Sequence, residues 1–126
     1  MTAVLAASVV RELHTGWAWF VVIGNGVAGV WALAAERFAA LRHRALWVLT
    51  AVVEAAIVGQ AVFGVAVLSE IEGEAPDLHL FYGFVAVAAV GIIYSYRAQL
   101  ARSVYLLYGL GGLFLMGMGI RAMILG

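Results

Sequence analysis

Charged residues divide the chain into four long apolar runs. These runs cover approximately residues 15–35, 46–68, 80–96 and 103–125. At a rise of about 1.5 Å per residue, each run is long enough to cross a hydrocarbon layer of about 30 Å as a helix. The connections are short, which makes successive helices antiparallel. The pattern predicts a single all-α domain over residues 1–126, an integral membrane up-and-down four-helix bundle.

The amino-acid composition indicates a membrane protein. Hydrophobic residues make up 66% of the 126-residue chain and charged residues only 11%. A soluble core of this size cannot hide so much apolar surface, whereas a lipid bilayer accepts it. The chain has no cysteine, which excludes disulfides, thiolate catalysis and iron–sulfur clusters. The formal net charge is zero, so no nucleic-acid partner is indicated.

The distribution of arginine predicts an orientation. Five of the seven arginines lie in the first and third connections, whereas the second connection, "SEIEGEAPD", is acidic. The positive-inside rule places the arginine-rich connections in the cytoplasm and both termini outside, in a cell inner membrane. The opening "MTAVLAASVV" lacks a leading basic residue, so we interpret it as an interfacial or helical lead-in rather than a cleaved signal peptide.

Two histidines begin apolar runs that have the same predicted direction. His14 in "LHTGWAW" and His79 in "LHLFYGF" both lie at the outer start of their spans. The two segments align at a constant offset of about 65 residues, with Trp17 on Tyr82, as a duplicated helical hairpin would give. We therefore expect a weak internal hairpin repeat and equal depth for the two histidines.

The bundle topology makes this pair a candidate cofactor site. Helices one and three are diagonal in an up-and-down bundle, so side chains at equal depth can face each other. One turn below the histidines lie Ala18 and Gly83, which leave room for a flat macrocycle. We expect both histidines in first helical turns, where the helix dipole favours neutral imidazole, the ligating form.

Arginines supply a further candidate element of this site. Arg11 and Arg121 lie on the outer side, against the positive-inside pattern, where haem propionates can recruit them. Alternatively, Arg121 pairs with an acidic residue of the second connection; the candidates are Glu70, Glu72, Glu74 and Asp77. A bare transition-metal site would need further ligands, which the same acids could supply from the second connection.

In this general plan the chain resembles small four-helix membrane cytochromes b, such as the cytochrome b561-like proteins and one half of a haem A synthase. The resemblance rests on "LHTGWAW" and "LHLFYGF" within a four-helix layout that covers the whole chain. It implies bis-histidine ligation of haem b by His14 and His79. Those families often carry two histidine pairs, and no second pair is present at the cytoplasmic end of this chain.

Other polar residues keep alternative functions open. Glu54 is the only acid deep inside a span, and Asn25 lies at a comparable depth in helix one. Glu54 is a candidate proton site for a small transporter or a quinone pocket; in the structural alternative it is a protonated interhelical hydrogen-bond donor. Histidines beside aromatic residues are also common at membrane interfaces without any ligand. We interpret the many glycines first as helix-packing positions and second as a groove for a planar ligand.

The sequence therefore favours a membrane haem protein with one bis-histidine haem near the outer face. With both axial positions filled, such a haem suits electron transfer, from a membrane quinol to a partner outside. An electron carrier or subunit is expected rather than a stand-alone enzyme. The competing hypotheses are a proton-coupled transporter that uses Glu54 and an accessory subunit of a homo-oligomer or larger membrane complex.

Overall fold

Four long helices form the protein in the computed structural model, which describes residues 1–68 and 77–125. The helices are α1 (Thr2–Arg37), α2 (Arg44–Leu68), α3 (Asp77–Tyr96) and α4 (Val104–Leu125), with 3₁₀ turns at Ala39–Leu41 and Ala101–Ser103. Each helix is long and apolar enough to cross a membrane. The described residues contain no strand, which confirms the predicted all-helical class.

Helix α1 begins well before the predicted first span. It is continuous from Thr2, because residues 2–13 contain neither glycine nor proline, and five of these twelve residues are the strong helix formers alanine and leucine. These residues are called the lead-in below. The expected position of His14 in a first helical turn is therefore wrong, and the helix dipole gives no support there. His79, by contrast, lies in the first turn of α3, which begins at Asp77.

The helices surround one another in the order α1, α2, α3, α4. Helix α1 packs extensively against both α2 and α4, and α3 packs against α4 and much more loosely against α2. Consequently α1 and α3 lie diagonally opposite each other, as expected for an up-and-down bundle. Core side chains from all four helices include Val21, Ile57, Ala86 and Leu115.

Glycines allow the backbones of α1 and α4 to touch. A Cβ atom added to Gly29 would lie 2.9 Å from the backbone nitrogen of Leu113 and 3.0 Å from the carbonyl oxygen of Gly109. A Cβ atom on Gly112 would lie 2.8 Å from the Cα of Gly29. Only residues without a side chain fit at such a crossing. We call this contact of Gly29, Gly109 and Gly112 the glycine seam, and it confirms packing as the role of these glycines.

Helix α3 has no comparable contact. A Cβ atom added to Gly83 or Gly91 would meet no atom within 4 Å. Gly26, which aligns with Gly91 in the internal repeat, would instead place its Cβ 2.7 Å from the sulfur of Met116. The sequence repeat is therefore not reproduced in the packing of the two hairpins.

Arginine and aromatic side chains close the end of the bundle that carries the first and third connections, which we call the arginine end. Arg42 donates from Nε to the carbonyl oxygen of Ala35, at 2.8 Å, and from an Nη atom to that of Glu36, at 3.0 Å. Its guanidinium carbon lies 5.0 Å from the ring centroid of Tyr105. Arg42 therefore satisfies terminal carbonyls of α1 and ties them to the start of α4.

Candidate functional site

The opposite end of the bundle, which we call the histidine end, brings together polar and aromatic groups from all four helices. The rings of His14 and His79 have centroids 6.1 Å apart and planes inclined by 68°. Phe63 and Gln60 of α2 and the carbonyl of Ala122 of α4 complete the group. The structure thus places the two histidines side by side at one depth, as the sequence led us to expect.

His79 is held by the end of α4. Its Nδ1 lies 2.7 Å from the carbonyl oxygen of Ala122. A carbonyl oxygen only accepts, so Nδ1 carries the proton and Nε2 keeps its lone pair. Ala122 belongs to the last turn of α4, whose carbonyls have no partner within the helix. This contact produces the tautomer in which metal-ligating histidines donate one ring N–H to a carbonyl and ligate through the other nitrogen.

His14 is packed by aromatic rings. Its imidazole stacks on Phe63, with centroids 6.2 Å apart and planes inclined by 28°. Phe63 also stacks on Trp17, with centroids 5.9 Å apart. On another side, a Cβ added to Gly64 would lie 3.4 Å from the Cε1 atom of His14. The half-buried His14 ring is therefore fixed in position, although its Nδ1 is buried without a hydrogen-bond partner.

Two hydrogen bonds join α1 to α2 beside His14. Gln60 donates from Nε2 to the backbone carbonyl of His14, at 2.8 Å. Trp17 donates from Nε1 to the carbonyl of Ala56, at 3.0 Å, while its ring covers Gly59, where an added Cβ would lie 2.8 Å from Trp17 Cζ2. These bonds set the rotation of α2 relative to α1 and thereby bring Gln60 and Phe63 to the histidines.

Sequence reasoning missed Gln60 and Phe63 as members of the site. Both lie on α2, which was not part of the repeat, and Phe63 is one of many aromatic residues in the chain. One signal was available, because an uncharged polar residue within a transmembrane helix usually forms an interhelical hydrogen bond. Gln60 meets that description.

The separation of the histidines fits one metal ion between them. Two imidazoles that ligate from opposite sides, each with a metal–nitrogen bond of about 2 Å, have ring centroids roughly 6 Å apart. Of the two small residues one turn below, Gly83 has open space beside it and Ala18 is half-buried. The Nδ1 contact of His79 and the open space at Gly83 are the two observations that bear on a flat, ligated macrocycle. In the described part of the chain, no group of three or more His, Cys, Asp or Glu side chains can hold a metal ion.

Arg11 and Arg121 lie on the surface of the histidine end. Both side chains are exposed, and Arg121 directly precedes Ala122, whose carbonyl holds His79. The proposed acidic partners Glu70, Glu72 and Glu74 lie outside the described residues. The two arginines can therefore reach an anionic group at this end of the bundle.

Glu54 and Asn25 lie nearer the middle of the bundle, away from the histidines. Both are buried, with 9% and 1% of their surface exposed. Asn25 donates from Nδ2 to the Val21 carbonyl of its own helix, at 2.8 Å, and no hydrogen bond between described residues joins it to Glu54. Instead, Glu54 lies within electrostatic range of Tyr108, whose ring packs edge-on against Trp47 with centroids 5.2 Å apart.

Comparisons of this chain with protein-family models, with curated proteins and with solved structures find no match.

Proposed function

We propose that this chain is an inner-membrane protein that binds one b-type haem between His14 and His79 and takes part in electron transfer. The observation that carries the proposal is the meeting of two imidazoles from diagonal helices at a centroid separation of 6.1 Å, one of them with Nδ1 on a backbone carbonyl. Haem held in this way supplies a one-electron redox centre with both axial positions filled. Electron transfer is thus favoured over binding of an exogenous ligand.

The residues of the chain have distinct roles in this proposal. His14 and His79 supply the axial nitrogens, and the Ala122 carbonyl holds the ring of His79 in its ligating tautomer. Ala18 and Gly83 leave space beside the ligands, and Phe63 packs against one face of His14. Arg11 and Arg121 are the cationic groups available to haem propionates at this end.

Topology suggests the electron partners. The positive-inside rule places the arginine end in the cytoplasm, and therefore the haem near the outer face with both termini outside. Electrons then pass between a quinol dissolved in the bilayer and a redox partner on the outer side. The protein would bind and orient the redox centre as an electron carrier or subunit rather than as a stand-alone enzyme.

The visible spectrum of protein purified after expression with adequate haem supply tests the proposal. We expect a Soret band that shifts on dithionite reduction, and its loss in His14→Ala and in His79→Ala. His43→Ala is the matched control, because His43 is exposed at the arginine end and should leave the spectrum unchanged. Colourless wild-type protein, or equal losses in all three variants, would contradict the proposal.

Glu54 supports a second candidate function, a proton-coupled transporter. Glu54 is a buried acid that interacts electrostatically with Tyr108. Burial of an ionisable group in a membrane-spanning helix costs free energy, and such groups are often proton sites. In that case Glu54→Gln abolishes proton-coupled uptake into vesicles, while His14→Ala and His79→Ala leave it intact. The two functions are thus separated by which variants lose activity.

A further inference from the structure

The two histidines differ in how their Nδ1 atoms are satisfied. His79 Nδ1 lies 2.7 Å from the Ala122 carbonyl oxygen, whereas His14 Nδ1 is buried and has no partner. A buried polar atom without a partner is uncommon in proteins and calls for an explanation. The structure therefore fixes the tautomer of His79 but leaves that of His14 open.

Gln60, which already donates a hydrogen bond to His14, also carries an acceptor atom that could pair with His14 Nδ1. Among the described residues, the buried side-chain nitrogen and oxygen atoms without a partner are His14 Nδ1 and Gln60 Oε1. Gln60 reaches His14 through its other amide atom, Nε2, which donates to the His14 backbone carbonyl at 2.8 Å. The two unsatisfied atoms therefore belong to residues that are already joined by one hydrogen bond, although they do not bond to each other in the structure.

The chemistry of the pair selects one tautomer. An amide oxygen only accepts, so it is satisfied only if His14 Nδ1 carries the proton. The opposite tautomer, with the proton on Nε2, would leave Gln60 Oε1 unpaired as long as Nε2 of Gln60 remains on the His14 carbonyl. Both unsatisfied atoms are therefore paired in a single arrangement, in which His14 Nε2 is unprotonated.

We propose that Gln60 is a positioning residue for His14: its side-chain oxygen accepts the Nδ1–H of His14 and holds Nε2 as a free ligand, as Ala122 does for His79. This inference deepens the proposed haem function and rests on it only for the role of the free Nε2. The two ligands then have matched outer supports, one from a side chain of α2 and one from the backbone of α4. Such supports orient the imidazole and raise its basicity as a ligand.

The first test uses haem-free protein. The protein is labelled with ¹⁵N-histidine, and ring nitrogen shifts are measured in micelles at alkaline pH, where the rings are neutral. We expect His14 and His79 both with protonated Nδ1, and a change of His14 alone to protonated Nε2 in Gln60→Met. Gln60→Glu loses the bond to the His14 carbonyl but keeps an acceptor oxygen on the same side chain, and should keep the wild-type tautomer.

Trp31→Phe is the control for loss of a tryptophan hydrogen bond away from the histidines. It removes the bond from Trp31 Nε1 to the Leu41 carbonyl at the arginine end and leaves the acceptor for His14 in place, so the tautomer should not change. A wild-type His14 with protonated Nε2, or a Gln60→Met spectrum identical to wild type, would overturn the inference. Neither outcome depends on whether haem binds.

The second test uses haem-loaded protein. Loss of an outer support typically weakens metal affinity about 10- to 100-fold, so Gln60→Met should bind haem at least 10-fold more weakly, and Trp31→Phe should bind it within about twofold of wild type. If Gln60→Met does not fold, Gln60→Glu serves instead: a carboxylate makes His14 more basic and should lower the midpoint potential. An unchanged potential would count against the inference, whereas a wild-type protein that binds no haem would count against the proposed function alone.

Discussion

The two sides of the bundle pack very differently. Along the glycine seam, α1 and α4 approach until backbone atoms are in contact, because Gly29 and Gly112 face each other without side chains. On the other side α3 packs only loosely on α2, and its glycines Gly83 and Gly91 have open space beside them. Tight packing on one side supplies rigidity, and loose packing on the other leaves room next to His79.

The comparison shows that a repeat in sequence need not become a repeat in structure. An exact pseudo-twofold axis would give α2 and α3 the same interface as α4 and α1. Helix α4, however, carries Gly109 and Gly112 where they meet Gly29 of α1, and no equivalent crossing joins α2 to α3 in the described residues. The position of a few glycines therefore decides which helices form the rigid half.

The largest effect on stability is expected when a side chain is placed in the glycine seam. Gly112→Leu forces Cβ to within 2.8 Å of the Gly29 Cα and 3.0 Å of the Asn25 carbonyl, neither of which can move without its helix. We expect a loss of about 3 kcal/mol or more in the free energy of unfolding, at or above the upper end for overpacked cores. The measurement is unfolding in mixed detergent micelles with increasing SDS, followed by circular dichroism.

Gly91→Leu is the matched control for this change. It introduces the same side chain on α3, where an added Cβ meets no atom within 4 Å, and should change the unfolding free energy by less than about 0.5 kcal/mol. Equal destabilisation by the two variants would show that the two sides do not differ in packing.

An intermediate effect is expected from Arg42. Arg42→Ala removes two hydrogen bonds to the last carbonyls of α1 and the contact with Tyr105 of α4, and should cost about 1 kcal/mol in the same unfolding assay. Arg97 follows the end of α3, and its hydrogen bond and ring contact with described residues are both to Tyr94 of that helix. If Arg97→Ala lowers the free energy of unfolding as much as Arg42→Ala, the contacts of Arg42 between α1 and α4 add nothing specific to the stability of the bundle.

The smallest effect compares aligned positions of the repeat. Trp17→Phe removes the hydrogen bond to Ala56 and should cost about 0.6 kcal/mol, the average for interhelical hydrogen bonds in membranes. Tyr82→Phe should cost almost nothing, because the Tyr82 hydroxyl has no hydrogen bond to any described residue. A Tyr82→Phe cost as large as that of Trp17→Phe would mean that α3 is held as firmly as α1.

Much of the architecture followed from the sequence, because hydropathy and charge reveal apolar helices directly. The pairing of His14 with His79 followed as well, since antiparallel connections fix depth and diagonal position. The start of α1 did not, because Arg11 and Glu12 mark a change in polarity while the helix continues through them. Hydropathy locates the edge of an apolar layer, whereas helix ends depend on local backbone preference.

The part of the site on α2 could not be predicted for a different reason. Which face of α2 meets α1 depends on the rotation of the helix, and an almost uniformly apolar helix gives no periodic signal for it. In the structure Trp17 over Gly59 sets that rotation and carries Gln60 and Phe63 to His14. The glycine seam is similar, since every helix contains glycines and only the matched pair identifies the close crossing.

The length of α1 has a consequence for the membrane around it. With 36 residues, α1 is about 54 Å long, well beyond a hydrocarbon layer of about 30 Å. Because the glycine seam fixes α1 to the shorter α4, this excess length cannot be taken up by tilting alone, and the lead-in projects past the change in polarity at Arg11 and Glu12. The exposed apolar side chains of the lead-in, such as Val4, Leu5 and Val9, are covered to different extents in thin and thick bilayers. The lead-in therefore makes the stability of the protein sensitive to bilayer thickness.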